Sequence, residues 1–584
     1  MKIVVVGGVA AGMSLAARAR RLDEHAEIVV FERDPYVSFA NCGLPYHIGG
    51  VIEDRDALLL QTPESLHASL ALDVRVGHEV LAIDPAAHTV TVRVVATGEV
   101  REESYDKLAL CPGAEPVVPP LPGVEDRRVH TLRRMADMDG IKAAVDAVDA
   151  DGDTAVRHAV VIGAGYIGLE LAENLRHRGV DVALVELAEQ VMPPLDRELS
   201  TTVERELRAH GVRLHLGAAA EQLAERADGR LEVVLTNGSR LPADLVALAV
   251  GVRPATGLAE AAGLELGPRG GIAVDAHQQT SVADVYAAGD AVEVTHRVLP
   301  GSWLIPLAGP ANRQGRVAAE HMCGRPARFP SVSGAGVVKV FGLTAGGVGA
   351  NERQLAAAGM AYDRVHLHPS GHAGYYPGTQ AMHLKVLYDP ADGRLLGAGV
   401  VGVDGVDKRL DVLATALQAG WTVYDLEELE LAYAPPYGSA KDPVNMAGFI
   451  AGNVLRGDLR LWQAVDYPAA VRAAHLVDVR SAEEFAAWHI PGAQHVPLAD
   501  LRARSADWDR ATPIRLYCAV GFRSYLAYRA LVGRGFADVA TLSGGLQTFR
   551  AVHDLDPSPA VDGLAPLVAY AEQRTGPHAI PGGA

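Results

Sequence analysis

Two stretches of the chain carry one grammar: Ile3-Val4-Val5-Val6-Gly7-Gly8-Val9-Ala10-Ala11-Gly12 and Ala159-Val160-Val161-Ile162-Gly163-Ala164-Gly165-Tyr166-Ile167-Gly168. Each is a short β-rich run that feeds a glycine turn and then an Ala/Leu-rich helix. Each is followed by a second apolar strand ending in an acid. Ile28-Val29-Val30-Phe31 runs to Glu32, and Val182-Ala183-Leu184-Val185 runs to Glu186. The acids stand 20 and 18 residues past the last glycine of each turn. That spacing suits a dinucleotide-binding unit, in which the carboxylate reaches a ribose hydroxyl. Glycine lets the backbone approach a pyrophosphate, and the helix N-terminus supplies N–H donors and a positive dipole end. One such motif is a weak signal; two, each with its strand and acid, are a strong one. Val9 stands where the middle glycine of the first copy belongs, which removes the case for a close contact at that residue but not for the turn.

Working outward, Thr280–Asp290 reads as a strand ending in Gly-Asp that returns to the first nucleotide site, where the Asp290 carboxylate can accept from sugar hydroxyls. The proline-rich stretch 106–123 reads as a crossover, and 243–254 as its return. The second nucleotide domain (116–252) is therefore expected to be inserted into the first (1–115 plus 253–335). Residues 336–456 alternate as strands, with a turn at Asp392-Gly393 and a helix near Asp411–Ala419, and form a third, α+β domain. Residues 456–468 read as a linker, 469–553 as a fourth unit, and 554–584 as a tail rich in Ala, Pro and Gly.

Composition narrows the partners. The chain has 584 residues, enough for several domains. With 53 Lys plus Arg against 71 Asp plus Glu, its formal charge is −18, the wrong sign for a general binder of nucleic acid or anionic membrane. No stretch resembles a spanning helix. Met1 runs straight into Lys2–Val6 without a basic, apolar, cleavable leader. The four cysteines are too few for a disulfide scaffold and make no metal pair. A cytoplasmic protein with reduced thiols and no metal is expected.

Two cysteines carry chemistry. Cys42, in Ser38-Phe39-Ala40-Asn41-Cys42-Gly43-Leu44-Pro45-Tyr46-His47, follows the first nucleotide motif, as a redox cysteine beside a flavin would. His47 occupies the place of the second cysteine in a Cys-x4-Cys dithiol. The other sulfur must then come from outside, or Cys42 must cycle through sulfenic acid. Arg18 and Arg21 share a face of the first helix and suit the phosphates of a large anionic thiol. Cys518, in Leu516-Tyr517-Cys518-Ala519-Val520-Gly521-Phe522-Arg523-Ser524, sits in a loop curling from a strand into a helix. Such a nest of N–H donors stabilises a thiolate or an anionic persulfide. Arg523 adds charge for an anionic sulfur donor. Cys111 and Cys323 carry no motif and read as incidental.

From Met1 to about Gly457 the chain resembles the flavin-dependent pyridine nucleotide–disulfide oxidoreductases. Within them it is similar to the single-cysteine branch of coenzyme A-disulfide reductases and NADH oxidases, through the Ser-Phe-Ala-Asn-Cys-Gly-Leu-Pro-Tyr run. Residues 469–553 resemble a rhodanese domain, through Asp478-Val479-Arg480, His489-Ile490-Pro491-Gly492-Ala493, the Cys518 loop and Leu542-Ser543-Gly544-Gly545. The fusion resembles the rhodanese-linked CoA-disulfide or CoA-persulfide (polysulfide) reductases. The resemblance implies an α/β fold of two Rossmann-like nucleotide-binding domains, an α+β dimerisation domain and a C-terminal rhodanese-like domain. It implies FAD held through Gly7, Gly12, Glu32 and Asp290, and NADH or NADPH held through Gly163, Gly165, Gly168 and Glu186. It implies a homodimer in which the partner subunit sends tyrosines, here Tyr375 and Tyr433, toward the thiol. Coenzyme A contacts carried over are Ser14, Arg18, Arg21, Ser38, Asn41, Asn312 and Lys441.

The expected reaction is NAD(P)H-dependent reduction of CoA disulfide, CoA persulfide or polysulfide at Cys42, with Cys518 and Arg523 handling sulfane sulfur. An acid at Glu186 favours a ribose diol over a 2′-phosphate, so NADH is the expected reductant. One alternative is an NADH oxidase that reduces oxygen or peroxide through Cys42 sulfenic acid. Another is a non-catalytic, flavin-bound sulfur carrier or redox sensor.

Overall fold

The computed structural model describes residues 1–148, 155–227 and 229–555. The chain divides into two compact units. The first comprises Met1–Met192 and Leu207–Gly336; the second comprises Pro193–Glu206 and the chain from Val337 onward.

The first unit contains two five-stranded parallel sheets built to one plan. In sheet order, the first runs Val285–Ala287, Lys107–Leu110, Lys2–Val6, Glu27–Glu32 and Asp73–Val76. The second runs Arg213–Leu216, Asp181–Glu186, His158–Ile162, Leu245–Leu248 and Val129–Thr131. In each sheet the glycine turn leaves the middle strand. Those strands are near-continuous apolar runs, and Ile3–Val5 and Ala159–Val161 are wholly buried, as strands covered on both faces must be. A three-stranded antiparallel meander accompanies each sheet, directly ahead of Lys107–Leu110 in the first and of Leu245–Leu248 in the second. These are His78–Asp84, Thr89–Val94 and Val100–Ser104 in the first, and Ala220–Glu225, Leu231–Leu235 and Arg240–Ala243 in the second. The second sheet's strands all fall between Leu110 and Val285 of the first. The outward and returning chains pair antiparallel, Ala114–Pro116 against Val252–Pro254.

Thr280–Asp290 is a strand only over Val285–Ala287, shorter than its composition suggests. Asp284 has φ +66°, a left-handed value that interrupts extended chain. Thr280 Oγ1 accepts from the Val282 N–H at 3.2 Å, which turns the segment before it.

The second unit holds an antiparallel five-stranded sheet in the order Gly336–Val340, Leu343–Gly349, Leu395–Gly402, His383–Tyr388 and Asp363–Leu367. The helices Val406–Ala419 and Pro443–Leu455 pack on it. A parallel five-stranded sheet follows, in the order Leu461–Trp462, Val539–Leu542, Ile514–Tyr517, His475–Asp478 and Gln494–His495. Its first strand lies inside the stretch read as a linker. Two residues are too short to show a period, and the edge position asks for no long apolar run. The tail expectation falls, from residue 556, outside the described residues. No helix among the described residues is long and apolar enough to cross a membrane.

Candidate active site

The two glycine turns superimpose in their chemistry. Gly7 has φ +103° and Gly163 +104°, values that L side chains rarely adopt. A Cβ on Gly7 would lie 2.1 Å from the Cys111 carbonyl oxygen, and one on Gly163 2.3 Å from that of Ala249. The last glycines are equally tight: a Cβ on Gly12 or Gly168 would lie 1.9 Å from the carbonyl oxygen of Gly7 or Gly163. Gly165 differs, because a Cβ there would meet nothing within 4 Å. Its open face fits a close approach by pyrophosphate.

The acids are fixed in matching ways. Glu32 accepts from the N–H of Gly8 at 2.8 Å and of Asp34 at 2.9 Å. Glu186 accepts from the N–H of Ala164 at 2.8 Å and of Ala188 at 2.9 Å. Burial raises the Glu32 carboxyl, against the two N–H donors that lower it. Both carboxylates stay anchored beside their turns, with lone pairs able to accept from a diol. Asp290 pairs with Arg133 at 2.8 Å. Arg133, two residues past the edge strand Val129–Thr131, carried no signal in the sequence.

Gly7, Gly8, Glu32, Cys111, Arg133 and Asn41 are among the residues lining a groove of about 450 Å³. Glycine turn, acid and arginine together fit the adenosine and pyrophosphate of a dinucleotide. The Cys111 thiol is pushed by burial up to about 12, so it stays protonated and inert.

A second cleft, of about 770 Å³, adjoins it; Val9, Phe39 and Asn41 line both. This cleft gathers Ser14, Arg18, Arg21, Ser38, Asn41, Cys42 and Asn312. Ser14 Oγ donates to Asn312 Oδ1 at 2.5 Å. Arg18 pairs with Glu320 at 2.5 Å, and Arg316 with the same oxygen at 3.1 Å. Arg316 also lines the cleft. The signal for it was available: Asn312, Arg316 and Glu320 fall at i, i+4 spacing on the helix Ala308–Met322. Ser38 holds φ +47°, and its N–H donates to the Gly8 carbonyl at 2.8 Å. That bond ties the cysteine loop to the first glycine turn.

Cys42 lies in the turn Asn41–Gly43 ahead of the short helix Leu44–Ile48. It is an exposed free thiol, opening on the cleft. His47 Nδ1 lies 2.7 Å from the Ile52 carbonyl oxygen. The protein around Cys42 removes water from the thiol and raises its pKa. Glu170 and Asp290 add to that, and Arg133 opposes it. Glu170, on the helix Tyr166–His177, accepts from Tyr46 OH at 3.2 Å, and burial lifts its carboxyl to about 7.

The second unit carries the remaining residues. Tyr375 and Tyr433 OH groups lie 2.8 Å apart, both exposed. The hydrogen bond to Tyr433 holds the Tyr375 phenol above its ordinary value. Lys441 is exposed next to Asp442, which caps the helix Pro443–Leu455. Cys518 is buried, at the end of the strand Ile514–Tyr517, and its Sγ accepts from the Gly521 N–H at 3.2 Å. Arg523, in the first turn of the helix Phe522–Val532 that follows, has its guanidinium held above its ordinary value chiefly by Glu484 and in part by that sulfur. It also forms a two-pronged pair with Glu484, at 2.6 and 2.7 Å. The charge expected for an anionic donor is therefore already matched.

Sequence comparison agrees with this geometry. Residues 1–315 match the family described as Pyridine nucleotide-disulphide oxidoreductase, 336–442 its dimerisation domain, and 461–551 the rhodanese-like domain. The chain belongs to the pyridine nucleotide-disulphide oxidoreductase family and carries a C-terminal rhodanese-like domain. It is 38% identical over 451 residues to the coenzyme A disulfide reductase of Staphylococcus haemolyticus, covering 77% of this chain and 99% of that one. The crystal structure of reduced Bacillus anthracis CoADR-RHD is 44% identical, with TM-score 0.91, covering 95% of this chain and 98% of the other. An NAD-dependent persulfide reductase from A. fulgidus is 36% identical, with TM-score 0.87, over 94% of this chain and 100% of that one.

Proposed function

We propose that the protein is a flavoprotein reductase that uses NAD(P)H to reduce CoA disulfide or CoA persulfide through Cys42, with Cys518 handling sulfane sulfur. The observation that carries this reading is the position of Cys42 on the wall of an arginine-bearing cleft that shares Asn41 with the glycine-turn groove. Arg21, together with Arg18 and Arg316, which share the single Glu320 carboxylate and so keep a net positive charge, suits phosphates, and Val9, Met13 and Leu60 suit an apolar arm. An oxygen-reducing thiol needs no such clamp.

The residues named for FAD (Gly7, Gly12, Glu32, Asp290) and for NAD(P)H (Gly163, Gly165, Gly168, Glu186) fit those groups by the turn geometry above. When bound, the flavin supplies a two-electron relay between reduced nicotinamide and sulfur. The chain's own part is thiol chemistry. Cys42 thiolate attacks one sulfur of CoA disulfide, forming Cys42–S–S–CoA and releasing one CoA thiolate. Two electrons and two protons then return Cys42 and the second CoA as thiols. The Tyr375–Tyr433 pair, delivered by the partner subunit of a homodimer, would hydrogen-bond to the leaving sulfur, with Lys441 beside a phosphate. The four free cysteines support a cytoplasmic enzyme with reduced thiols.

The test is anaerobic NADH oxidation with CoA disulfide. Cys42→Ser should lower kcat by about three orders of magnitude. Undiminished turnover in that variant, or the same rate in air with no thiol substrate, rejects the reading.

A further inference from the structure

Glu484 is the third helical residue of Ala482–Ala487 and closes a capping box with Ser481. Its N–H donates to Ser481 Oγ at 3.3 Å, and its Oε2 accepts from the Ser481 N–H at 3.0 Å. Both its oxygens also hold both terminal nitrogens of Arg523. Each side chain of that pair is 35% exposed, so a solute can reach it. The other arginine of this region is likewise matched. Arg480 pairs with Asp478 at 2.7 Å and donates to the Trp488 carbonyl. Glu483, fully exposed, adds one more negative charge beside Glu484. The pair with Arg523 keeps the Glu484 carboxyl ionised, down to about 2. The surroundings of the Cys518 sulfur therefore carry no net positive charge from these side chains.

We propose that Glu484 sets donor specificity at Cys518 by closing Arg523 into an ion pair, so that the loop takes sulfane sulfur from hydropersulfides in preference to a dianion such as thiosulfate. This rests on the reading of Cys518 as a sulfur-transfer thiol. With a hydropersulfide, Cys518–S⁻ + RSSH gives Cys518–S–S⁻ + RSH. The donor's S–S bond breaks, the new one forms, and the proton carried by the transferred sulfur passes to the leaving thiolate. With thiosulfate, Cys518–S⁻ + S₂O₃²⁻ gives Cys518–S–S⁻ + SO₃²⁻, and the sulfonate must dock where Arg523 is already occupied. Like charge at a recognition site repels the wrong partner, and the cost falls on binding more than on chemistry.

Glu484→Gln separates this role from structure. Glutamine closes a capping box as glutamate does, so the helix start survives while the charge is lost. Full-length protein is given thiosulfate, or the hydropersulfide of 2-mercaptoethanol, with cyanide taking the sulfur from Cys518 as thiocyanate. The expected result is a KM for thiosulfate lower by about tenfold, with kcat and the hydropersulfide KM little changed. Glu484→Gln should have no such effect in an Arg523→Gln background, since the gain acts through the guanidinium. NADH-dependent reduction of CoA disulfide at Cys42 should be unchanged in Glu484→Gln. An unchanged thiosulfate-to-hydropersulfide preference in Glu484→Gln, or the same gain without Arg523, overturns the proposal. Wild-type protein that makes no thiocyanate from either donor overturns it together with the Cys518 role, while CoA-disulfide turnover reports separately on Cys42.

Discussion

Cys42 sits in a field that works against its own ionisation. Neighbouring protein partly desolvates the thiol on its inner side, and Glu170 raises it further. Glu170→Gln removes that carboxylate, so Cys42 should become a thiolate at lower pH. Alkylation by iodoacetamide, followed against pH, reads this directly; an upward or absent shift refutes it. The same substitution has a stability signature. Glu170 has its folded-state carboxyl raised from 4.5 to about 7, so the folded form binds the proton more tightly. Its contribution is fully present below the unfolded value and lost as pH rises through about 7. Glu170→Gln should therefore raise the thermal midpoint relative to wild type at pH 8 more than at pH 5. A second residue-scale prediction concerns Glu186, held by the Ala164 and Ala188 amides. Its fixed negative charge disfavours a 2′-phosphate, so kcat/KM for NADH should exceed that for NADPH by about tenfold or more. Glu186→Ser should narrow the gap, and an NADPH preference in wild type would contradict the assignment.

At the scale of elements, the two glycine turns separate folding from binding. Gly163→Ala forces a Cβ into the Ala249 carbonyl at a φ that alanine disfavours. It should cost about 1–3 kcal/mol and weaken NADH binding as well. Gly165→Ala meets no protein atom within 4 Å. Its thermal midpoint should stay near wild type while KM for NADH rises, because the methyl enters the space a pyrophosphate needs. Loss of stability without loss of affinity at Gly165 would show that this face is not the binding face. These turns were legible because glycine and the following acid are dictated locally, by sterics and by the ribose. Other elements were not. The paired meanders 78–104 and 220–243 repeat in the fold, but no turn-and-acid pattern of that kind marks them, and their pairing is set by contacts between strands. Leu461–Trp462 gains its strand identity only from pairing with Thr541–Leu542, a contact 80 residues distant in the chain. The Arg523–Glu484 pair was equally hidden, since two residues in separate motifs meet only once the parallel sheet has formed.

Across the second unit, a buried charge cluster joins its two sheets. Lys385, 1% exposed, lies on the antiparallel sheet, with Asp196 at 2.9 Å, Glu198 at 2.5 Å and Glu352 also paired to it. Glu198 continues to His366 Nε2 at 2.7 Å, and His366 Nδ1 meets Ser543 Oγ at 3.0 Å. Ser543 directly follows the strand Val539–Leu542, three residues before Leu546, whose N–H donates to the Cys518 carbonyl at 2.8 Å. Thr201 Oγ1 adds a bond to the Ala551 carbonyl at 3.0 Å. Glu198, Glu352 and His366 lie close enough together to hold a metal, but the Lys385 ammonium already supplies the positive charge among them. Burial opposes that charge and the carboxylates overcome it, so the lysine is held above its ordinary value and Glu198 well below its own. Lys385→Met removes the cation and leaves three carboxylates facing one another, which should cost about 3–5 kcal/mol. Because the cluster is bonded through to the Cys518 loop, thiocyanate formation at Cys518 should be lost in the same thermal transition as the antiparallel sheet, at a midpoint lowered in this variant. Two separate transitions, with the Cys518 activity surviving the first, would show that the rhodanese-like sheet folds independently of the cluster.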